Sequence, residues 1–408
     1  MSEFKRGGPV LFAAFLGTMC GASPIPFNVL GALFEPLNKE FGWNKAQVSL
    51  GITVFGIIAS LLAPAFGRMA DRHGVRPVAL GSLVAFAAAF AALALTPASL
   101  PAFYLLWLLV GVVGIGSTPV TWSRAVNMWF VRQRGLALGL MLISTSVAAV
   151  IVPKLAVWSI ATYGWREMFV ILALLPVLVA LPVALVFFRE PRPEERPAAI
   201  VSAGGQVTGM SFAEAFRTRQ FWLLWVSILL IALAYGGAHA HMIPIVGDHG
   251  FDRNTAASVV GVVGIGILSG RLIVGFLLDR FWGPAVAFPA LCLPAIACVF
   301  LMGTSTDLPL IMVAAFMFGF AAGAESDLIA YLASRYFGMA SYGRIYGWLY
   351  MAFGLGSAVS PLLYGIGRDR TGSYDIILAT AGAMFVIGGA LLLLLGRYPG
   401  EKQREAVE

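Results

Sequence analysis

Long apolar runs separated by short polar segments repeat along the whole chain. A membrane-spanning helix needs about 20 mainly apolar residues, and twelve segments meet this requirement. The first follows Lys5 and Arg6 as a signal peptide would, but it is too long and has no small-residue cleavage site. The pattern predicts an all-α membrane protein with twelve transmembrane helices, at approximately residues 10–34, 46–66, 78–96, 102–128, 136–161, 167–188, 221–246, 255–278, 284–304, 309–334, 343–365 and 375–396.

Composition excludes a soluble protein. The 408 residues are 59% hydrophobic and 12% charged, whereas soluble domains are about 45–50% apolar and 25% charged. The three cysteines lie in apolar segments without paired spacing, so neither a disulfide framework nor a zinc site is indicated. No nucleophile–base set or phosphate loop is present, so we expect neither an enzyme nor a cofactor.

The net charge of +7 reflects membrane topology rather than nucleic-acid binding. Loops on the side of the termini hold 18 Lys and Arg residues, and the opposite loops hold 6. Lys and Arg concentrate in cytoplasmic loops. We therefore expect a multi-pass protein of a bacterial inner membrane with both termini in the cytoplasm.

The chain contains an internal repeat. Residues 1–188 and 221–408 form two six-helix halves, joined by a polar linker at 189–220. Parallel repeats of this kind occur in secondary transporters, with the substrate site between the halves near the membrane midplane. An offset of 208 residues relates Gly67 to Gly275, Asp71 to Asp279, Gly139 to Gly347 and Gly164 to Gly372.

The motif after the second span resembles the signature of the major facilitator superfamily. It reads Gly67-x-x-x-Asp71-Arg72-x-Gly74-x-Arg76. The resemblance implies the major facilitator fold and a latch that holds the outward-open state, with Asp279 and Arg280 as the repeated counterparts. Asp71 can pair with Arg72, Arg76 or Arg132 and face the positive N-terminus of a neighbouring helix. Alternatively, these charges only set the topology.

Further motifs are similar to those of bacterial monocarboxylate porters, including Gly270-Arg271-x-x-x-Gly275 and Tyr163-Gly-Trp-Arg166. This resemblance implies a small organic carboxylate as substrate and Arg271 as its ligand. Animal members often carry an acid four residues before this arginine and a lysine in helix one. Here Ile267 occupies the first place and the first span has no lysine. The proton carrier of that group cannot be transferred to this chain.

Few ionisable groups lie inside the predicted spans. Such groups are costly in lipid and usually face the protein interior or a wet cavity. Three full positive charges and two negative ones leave an excess that favours an anionic substrate. The charged groups are Arg124, Lys154, Arg271, Glu325 and Asp327, and His239 and His241 accompany them.

Arg271 is the strongest candidate ligand, because a guanidinium stays charged and grips a carboxylate with two hydrogen bonds. The alternative is a salt bridge to an acid on another helix. Lys154 follows Pro153 and is a second candidate anion contact, and Arg124 is counted with these candidate substrate ligands. Alternatively, either side chain extends to the membrane surface. Pro24 and Pro26 break the first span, and Asn28 beside them is a further candidate ligand that would donate to a carboxylate or hydroxyl of the substrate.

Glu325 and Asp327 are about 200° apart around a helix, so only one can face a given cavity. We assign the transported proton to Glu325, because burial favours the uncharged carboxyl, and Asp327 is the alternative. Glu325 could instead be the permanent partner of Arg124 or Arg271.

The two histidines of the seventh span are weaker candidates. His239 shares a helix face with Tyr235 and could line the path with it, Tyr235 as a substrate contact and His239 in proton coupling. His241 could contact substrate, although histidines at helix ends are commonly packing residues. Two histidines without further ligands are not a metal site.

These observations predict a monomeric secondary transporter that moves an organic monocarboxylate inward with a proton by alternating access. An organic anion exchanger is the alternative. A carboxylate sensor is a third hypothesis, weakened by the lack of room for a signalling domain.

Overall fold

The computed structural model describes residues 3–197, 207–303 and 306–399, and these are predominantly helical. The parts of the predicted linker and tail at 198–206 and 400–408 lie outside them. Within the described residues the helices are α1 (Glu3–Met19), α2 (Ile25–Phe41), α3 (Lys45–His73), α4 (Val75–Ala92), α5 (Leu100–Gly114), α6 (Pro119–Trp129), α7 (Arg134–Thr162), α8 (Trp165–Leu174), α9 (Leu181–Phe187), α10 (Phe212–Arg217), α11 (Arg219–Ala240), α12 (Met242–Asp248), α13 (Arg253–Leu278), α14 (Gly283–Leu301), α15 (Leu308–Phe337), α16 (Tyr342–Thr371) and α17 (Asp375–Leu393).

Eleven helical stretches of the described chain are long and apolar enough to cross a membrane. The first predicted span is not among them, because residues 20–24 divide it into α1 and α2, each of 17 residues. The break predicted there is confirmed. With this interrupted span, the helices account for all twelve predicted crossings.

The break in the first span contacts a second break in the fourth span. Between α5 and α6 the chain leaves the α-helix at Ile115–Ser117. The Ser117 hydroxyl accepts a hydrogen bond from the backbone N–H of Ala22 at 3.0 Å. At Asn28, the side-chain amide donates to the Pro24 carbonyl at 2.8 Å. Interrupted helices survive in lipid only where other groups satisfy the freed backbone, and these two bonds do so here.

Several helices extend beyond their predicted spans. The second span was predicted at 46–66, whereas α3 runs to His73, and α15 and α16 each contain 30 residues. Hydropathy detects only the part of a helix that matches the hydrocarbon, about 30 Å thick. The additional turns carry the polar ends of the helices.

The chain divides into two compact units that do not coincide with the two halves of the sequence. Unit 1 consists of Met1–Arg132, Leu140–Gly209 and Met339–Met351. Unit 2 consists of Gln133–Gly139, Met210–Gly338 and Ala352–Glu408. The first turns of α7 thus belong to unit 2, and the first turns of α16 belong to unit 1. The domain boundaries inferred from the repeat stay a prediction.

Unit 1 has an aromatic core. The Trp107 ring of α5 is 6.2 Å from Phe90 of α4 and 6.2 Å from Phe103, measured between centroids. Phe169 of α8 lies 5.2 Å from Phe90. All four side chains are fully buried, so they fasten three spans together. Other apolar side chains point outward, for instance Leu178 at 65% exposure, as a lipid-facing surface requires.

Unit 2 contains a close crossing of α13 and α15. A methyl group at Gly270 would lie 2.1 Å from the Phe320 carbonyl oxygen, and one at Gly319 would lie 2.0 Å from the Val263 carbonyl oxygen. Small residues let helix backbones approach closely where lipid supplies no hydrophobic driving force. This crossing brings the backbones of the helices that carry Arg271 and Glu325 together.

The repeat is visible in local geometry. Asn44 caps α3 and Asp252 caps α13, and each accepts a hydrogen bond from the backbone N–H three residues later. Two residues before each cap is a glycine with positive φ, Gly42 at 71° and Gly250 at 85°. Both pairs differ by 208 residues, which extends the register found in the sequence.

The start of the linker is held to α6. Arg189 donates to the Glu195 carboxylate at 2.8 Å, and its guanidinium lies 5.0 Å from the Trp129 ring. The indole of Trp129 donates to the Arg189 carbonyl at 2.9 Å. Hydrogen bonding from Arg189 lowers the pKa of Glu195 to about 2, so this carboxylate stays charged at physiological pH.

We expect Gly270→Ala to lower the melting temperature of the detergent-purified protein, because the added methyl collides with the backbone of α15. Overpacking of this kind costs about 1–3 kcal/mol. Gly264→Ala is the matched control on the same helix, where a methyl meets nothing within 4 Å. It should leave the melting temperature unchanged or raise it slightly. Equal effects of both changes would contradict the close crossing.

Candidate functional site

Asp71 caps the beginning of α16 within unit 1. Its carboxylate accepts hydrogen bonds from the backbone N–H groups of Gly343 and Arg344, both at 2.8 Å. It also forms an ion pair with Arg124 of α6. A carboxylate at a helix N-terminus satisfies backbone donors and interacts favourably with the helix dipole. The predicted contact between Asp71 and a helix N-terminus is therefore present.

Asp279 makes the same arrangement in unit 2. Its carboxylate accepts from the backbone N–H groups of Gly135 at 2.6 Å and Leu136 at 3.0 Å, at the beginning of α7. Each residue of this set lies 208 positions from its counterpart in unit 1. We call Asp71 with the start of α16 the first latch, and Asp279 with the start of α7 the second latch.

Glycines bring the backbones together at both latches. A methyl group at Gly67 would lie 1.8 Å from the Gly343 carbonyl oxygen, and one at Gly135 would lie 2.3 Å from the Gly275 carbonyl oxygen. Our sequence reasoning did not assign Gly135 and Gly343 to the latch. The signal was present, because Gly135 and Gly139 form a Gly-x-x-x-Gly pattern that recurs at Gly343 and Gly347.

The ion pair of Asp71 differs from the expectation. We predicted Arg72, Arg76 or Arg132 as its partner, whereas the partner is Arg124. Arg72 directly follows Asp71 in the helix, so its side chain leaves the helix about 100° away, and it is exposed. Arg124 faces the carboxylate from α6.

Arg124 is engaged on several sides. Besides Asp71, it donates to the Glu190 carboxylate at 3.1 Å and to the Met339 carbonyl at 3.1 Å. It is 6% exposed. These bonds give Arg124 a place in the first latch, and its role as a substrate ligand stays a prediction.

The remaining predicted latch residues lie at the same helix ends. Arg76 donates to the Leu185 carbonyl. Gly74 connects α3 to α4 with a φ of 82°, a conformation that favours glycine. Arg280 stacks on Phe276 with its guanidinium 3.9 Å from the ring centroid.

A cluster of polar groups lies inside unit 2. Arg271 of α13 is 6% exposed and interacts electrostatically with Asp327 of α15 and Tyr235 of α11. Glu325, 3% exposed, interacts electrostatically with Tyr235. The Tyr235 hydroxyl lies 3.3 Å from Nδ1 of His239, and the two rings are stacked. The structure thus brings these five predicted site residues together.

The two acids of the cluster face different neighbours. A methyl group at Gly139 would lie 3.1 Å from Asp327 Oδ2 and 2.8 Å from the Arg271 carbonyl oxygen. Asp327 therefore lies beside α7 and Arg271, whereas Glu325 lies towards Tyr235. Within the described residues, Glu325 Oε1 and both carboxyl oxygens of Asp327 have no hydrogen-bond donor.

His241 is a packing residue at the junction of α11 and α12. Its Nδ1 lies 2.9 Å from the Tyr374 hydroxyl, and its Nε2 lies 3.1 Å from the Pro361 carbonyl oxygen. A carbonyl only accepts, so Nε2 carries the proton of that bond. Both ring nitrogens are engaged, and the role of His241 as a substrate contact stays a prediction.

Asn28 and Lys154 belong to unit 1. The amide of Asn28 is bonded to the Pro24 carbonyl at the break of the first span. Lys154 is exposed on α7, which continues as a helix through Pro153. Val150 and Val157 on the same helix face are each 59% exposed, so the lysine stands on an apolar surface.

Residues 10–361 match the model of the Major Facilitator Superfamily. The chain belongs to this superfamily. It is a membrane transporter by family, not an enzyme, and the twelve-helix fold expected from the sequence is confirmed.

Within the superfamily, the chain is similar to mammalian transporters. It is 25% identical over 401 residues to Bos taurus monocarboxylate transporter 13, covering 96% of this chain and 90% of that protein. It is 26% identical over 395 residues to Homo sapiens monocarboxylate transporter 11, covering 90% of this chain and 79% of that protein. These matches confirm the resemblance to monocarboxylate transporters.

A solved structure shares the fold. The E. coli fucose:proton symporter aligns with a TM-score of 0.73 at 14% identity, covering 97% of this chain and 100% of that one. At this identity the similarity shows the architecture alone.

We predict that Asp71 and Arg124 are energetically coupled. In a double-mutant cycle with Asp71→Asn and Arg124→Gln, thermal unfolding in detergent should give a coupling free energy of about 1–3 kcal/mol, as for contacting residues of one network. The control cycle pairs Asp71→Asn with Arg72→Gln and should give a value near zero, because Arg72 is exposed. A larger coupling to Arg72 than to Arg124 would contradict the first latch.

Proposed function

We propose that the protein is a secondary active transporter that takes up an organic monocarboxylate together with a proton by alternating access. The observation that carries this proposal is the buried cluster of one arginine and two acids in unit 2. A cation and proton-accepting groups inside a transporter fold supply the chemistry that an anion–proton symporter needs.

Arg271 is the carboxylate ligand of the proposal. Its guanidinium lies in a desolvated environment, 6% exposed, where a charge-assisted hydrogen bond is stronger than in water. An arginine presents two parallel N–H donors that match the geometry of a carboxylate. The similarity to bovine and human monocarboxylate transporters supports the same substrate class.

Glu325 is the proton carrier of the proposal, and Asp327 is the charge partner of Arg271. A buried carboxyl without a donor is costly as an anion, and Glu325 Oε1 has no donor among the described residues. Asp327 compensates the charge of Arg271 while no substrate is bound. An incoming carboxylate then competes with Asp327 for the guanidinium, and His239 with Tyr235 completes the polar surroundings.

The two latches provide the conformational element. Each aspartate holds the first turn of a helix whose later residues belong to the other unit: α7 continues into unit 1 at Leu140, and α16 continues into unit 2 at Ala352. Alternating access requires contacts that form in one state and break in another. We assign this role to the Asp71 and Asp279 contacts.

The proposed orientation of the chain in the membrane rests on its charge distribution. The 18 to 6 distribution of Lys and Arg favours an inner membrane with both termini in the cytoplasm. We propose a monomer as the transporting species. Lys154 is proposed as a second anion contact.

We expect Arg271→Lys to reduce carboxylate uptake in proteoliposomes by at least about tenfold, because an ammonium cannot form the paired hydrogen bonds. The substrate is first chosen by a thermal-shift screen of aliphatic, hydroxy, keto and aromatic carboxylates, since a bound ligand stabilises the protein. Arg166→Lys is the matched control: Arg166 pairs with Glu40 at 2.7 Å at a half-exposed position, and this variant should retain uptake. Normal uptake by folded Arg271→Lys would refute the assignment.

We expect Glu325→Gln to abolish proton-coupled net uptake while carboxylate counterflow continues, because the amide imitates a permanently protonated carboxyl. A pH dye inside the vesicles should report acidification for the unmodified protein and none for the variant. Asp327→Asn is the comparison and should weaken carboxylate affinity. If the unmodified protein causes no acidification and internal anion accelerates its flux, an anion exchanger replaces the symporter.

A further inference from the structure

A groove of about 500 Å³ opens on unit 1 between the ends of α3, α4 and α5. Phe66, Met69 and His73 line it from α3, Gly81 and Ala85 from α4, and Val112 from α5. Two of its lining residues, His73 and Pro77, are next in the sequence to Arg72 and Arg76. Neither the latch nor the substrate cluster uses it.

The interior of the groove suits a hydrocarbon. Ser82 is the one lining residue of α4 with a hydroxyl, and this hydroxyl donates to the Val113 carbonyl. The other lining residues within the groove are apolar, apart from His73 at its mouth. A polar solute would lose water there without gaining hydrogen bonds.

The length of the groove matches one leaflet. Along α4 it extends from Pro77 to Ala85, which is about 12 Å at 1.5 Å per residue. Half of the hydrocarbon core is about 15 Å. A chain that enters from the membrane surface near Pro77 therefore stays within the leaflet on that side.

The mouth of the groove is basic. His73 is exposed, and its Nδ1 lies 3.2 Å from the Met69 carbonyl oxygen, which leaves Nε2 directed away from that bond. Arg72 is exposed beside it. This end of the helices belongs to the side of the membrane on which Lys and Arg concentrate. The charge is complementary to a phosphate group.

We propose that the groove binds an anionic phospholipid, with one acyl chain along α4 and the phosphate at His73 and Arg72. This inference is independent of the substrate proposed above, because it rests on a different surface and on the fold alone. Bound lipid would brace the end of α3, where Asp71 forms the first latch.

The test uses delipidated full-length protein in detergent. Dioleoyl phosphatidylglycerol should raise the melting temperature in a saturable manner, because a ligand of the folded state stabilises it. Dioleoyl phosphatidylcholine should need a higher concentration for the same shift, and glycerol 3-phosphate without chains should have no effect. Native mass spectrometry should detect bound phosphatidylglycerol.

Gly81→Leu places a side chain in the groove. A Cβ atom at this position meets nothing within 4 Å, so the variant should fold. This variant should lose the phosphatidylglycerol shift. Gly31→Leu is the matched control, another helical glycine with open space, and should keep it. Arg72→Gln should raise the half-saturating lipid concentration about fivefold, and it tests the headgroup contact even if Gly81→Leu does not fold.

The outcomes separate the sources of binding. An unchanged shift in Gly81→Leu, or a shift caused by glycerol 3-phosphate alone, would overturn the proposal. So would equal responses to the anionic and zwitterionic lipids. Transport assays do not enter this test, so its result is independent of whether Arg271 binds a carboxylate.

Discussion

The capping of two helix starts by aspartates organises this protein. Buried inside the protein, the first backbone N–H groups of a helix have no water to bond with and need an acceptor. Asp71 supplies it to α16 and Asp279 supplies it to α7, and glycines at the crossings let the carboxylates approach. These bonds fix the first turns of both helices. Each of the two helices then continues into the other unit. Further along α7, Gly139 lies beside Arg271 and Asp327.

The repeat is symmetric in backbone and asymmetric in charge. Gly347 lies beside Ala63 as Gly139 lies beside Arg271, at the same offset of 208 residues. Unit 1 thus has an alanine where unit 2 has its buried arginine. The position 208 residues before Asp327 is Pro119, which begins α6 after the break in the fourth span. The positions of unit 1 that correspond to Arg271 and Asp327 of the cluster thus hold an alanine and a proline.

Sequence reasoning found most of the polar residues but not all of their partners. Arg124 was predicted as a substrate ligand because it lies inside a span. In the structure it forms ion pairs with Asp71 and Glu190. His241 was considered as a substrate contact, and in the structure its two ring nitrogens contact Tyr374 and Pro361. The spacing of two residues predicts that Glu325 and Asp327 point in different directions from α15, and in the structure they face different helices. The angle between two residues of one helix is local information, whereas the identity of a partner is not.

By itself, the sequence determined the twelve spans, the 208-residue register, the break in the first span and the presence of a few charges in apolar surroundings. Each of these follows from properties that repeat along the chain: hydropathy, proline and glycine positions, and spacing. The tertiary structure decided which charged groups come into contact. Asp71 pairs with Arg124, and Arg271 lies beside Asp327 and Tyr235. It also decided that a groove opens beside α4. Those outcomes depend on how each helix is rotated and which helix lies next to it. Close glycine crossings contribute to both. A Gly-x-x-x-Gly pattern marks such a crossing in the sequence, but it does not identify the helix on the other side.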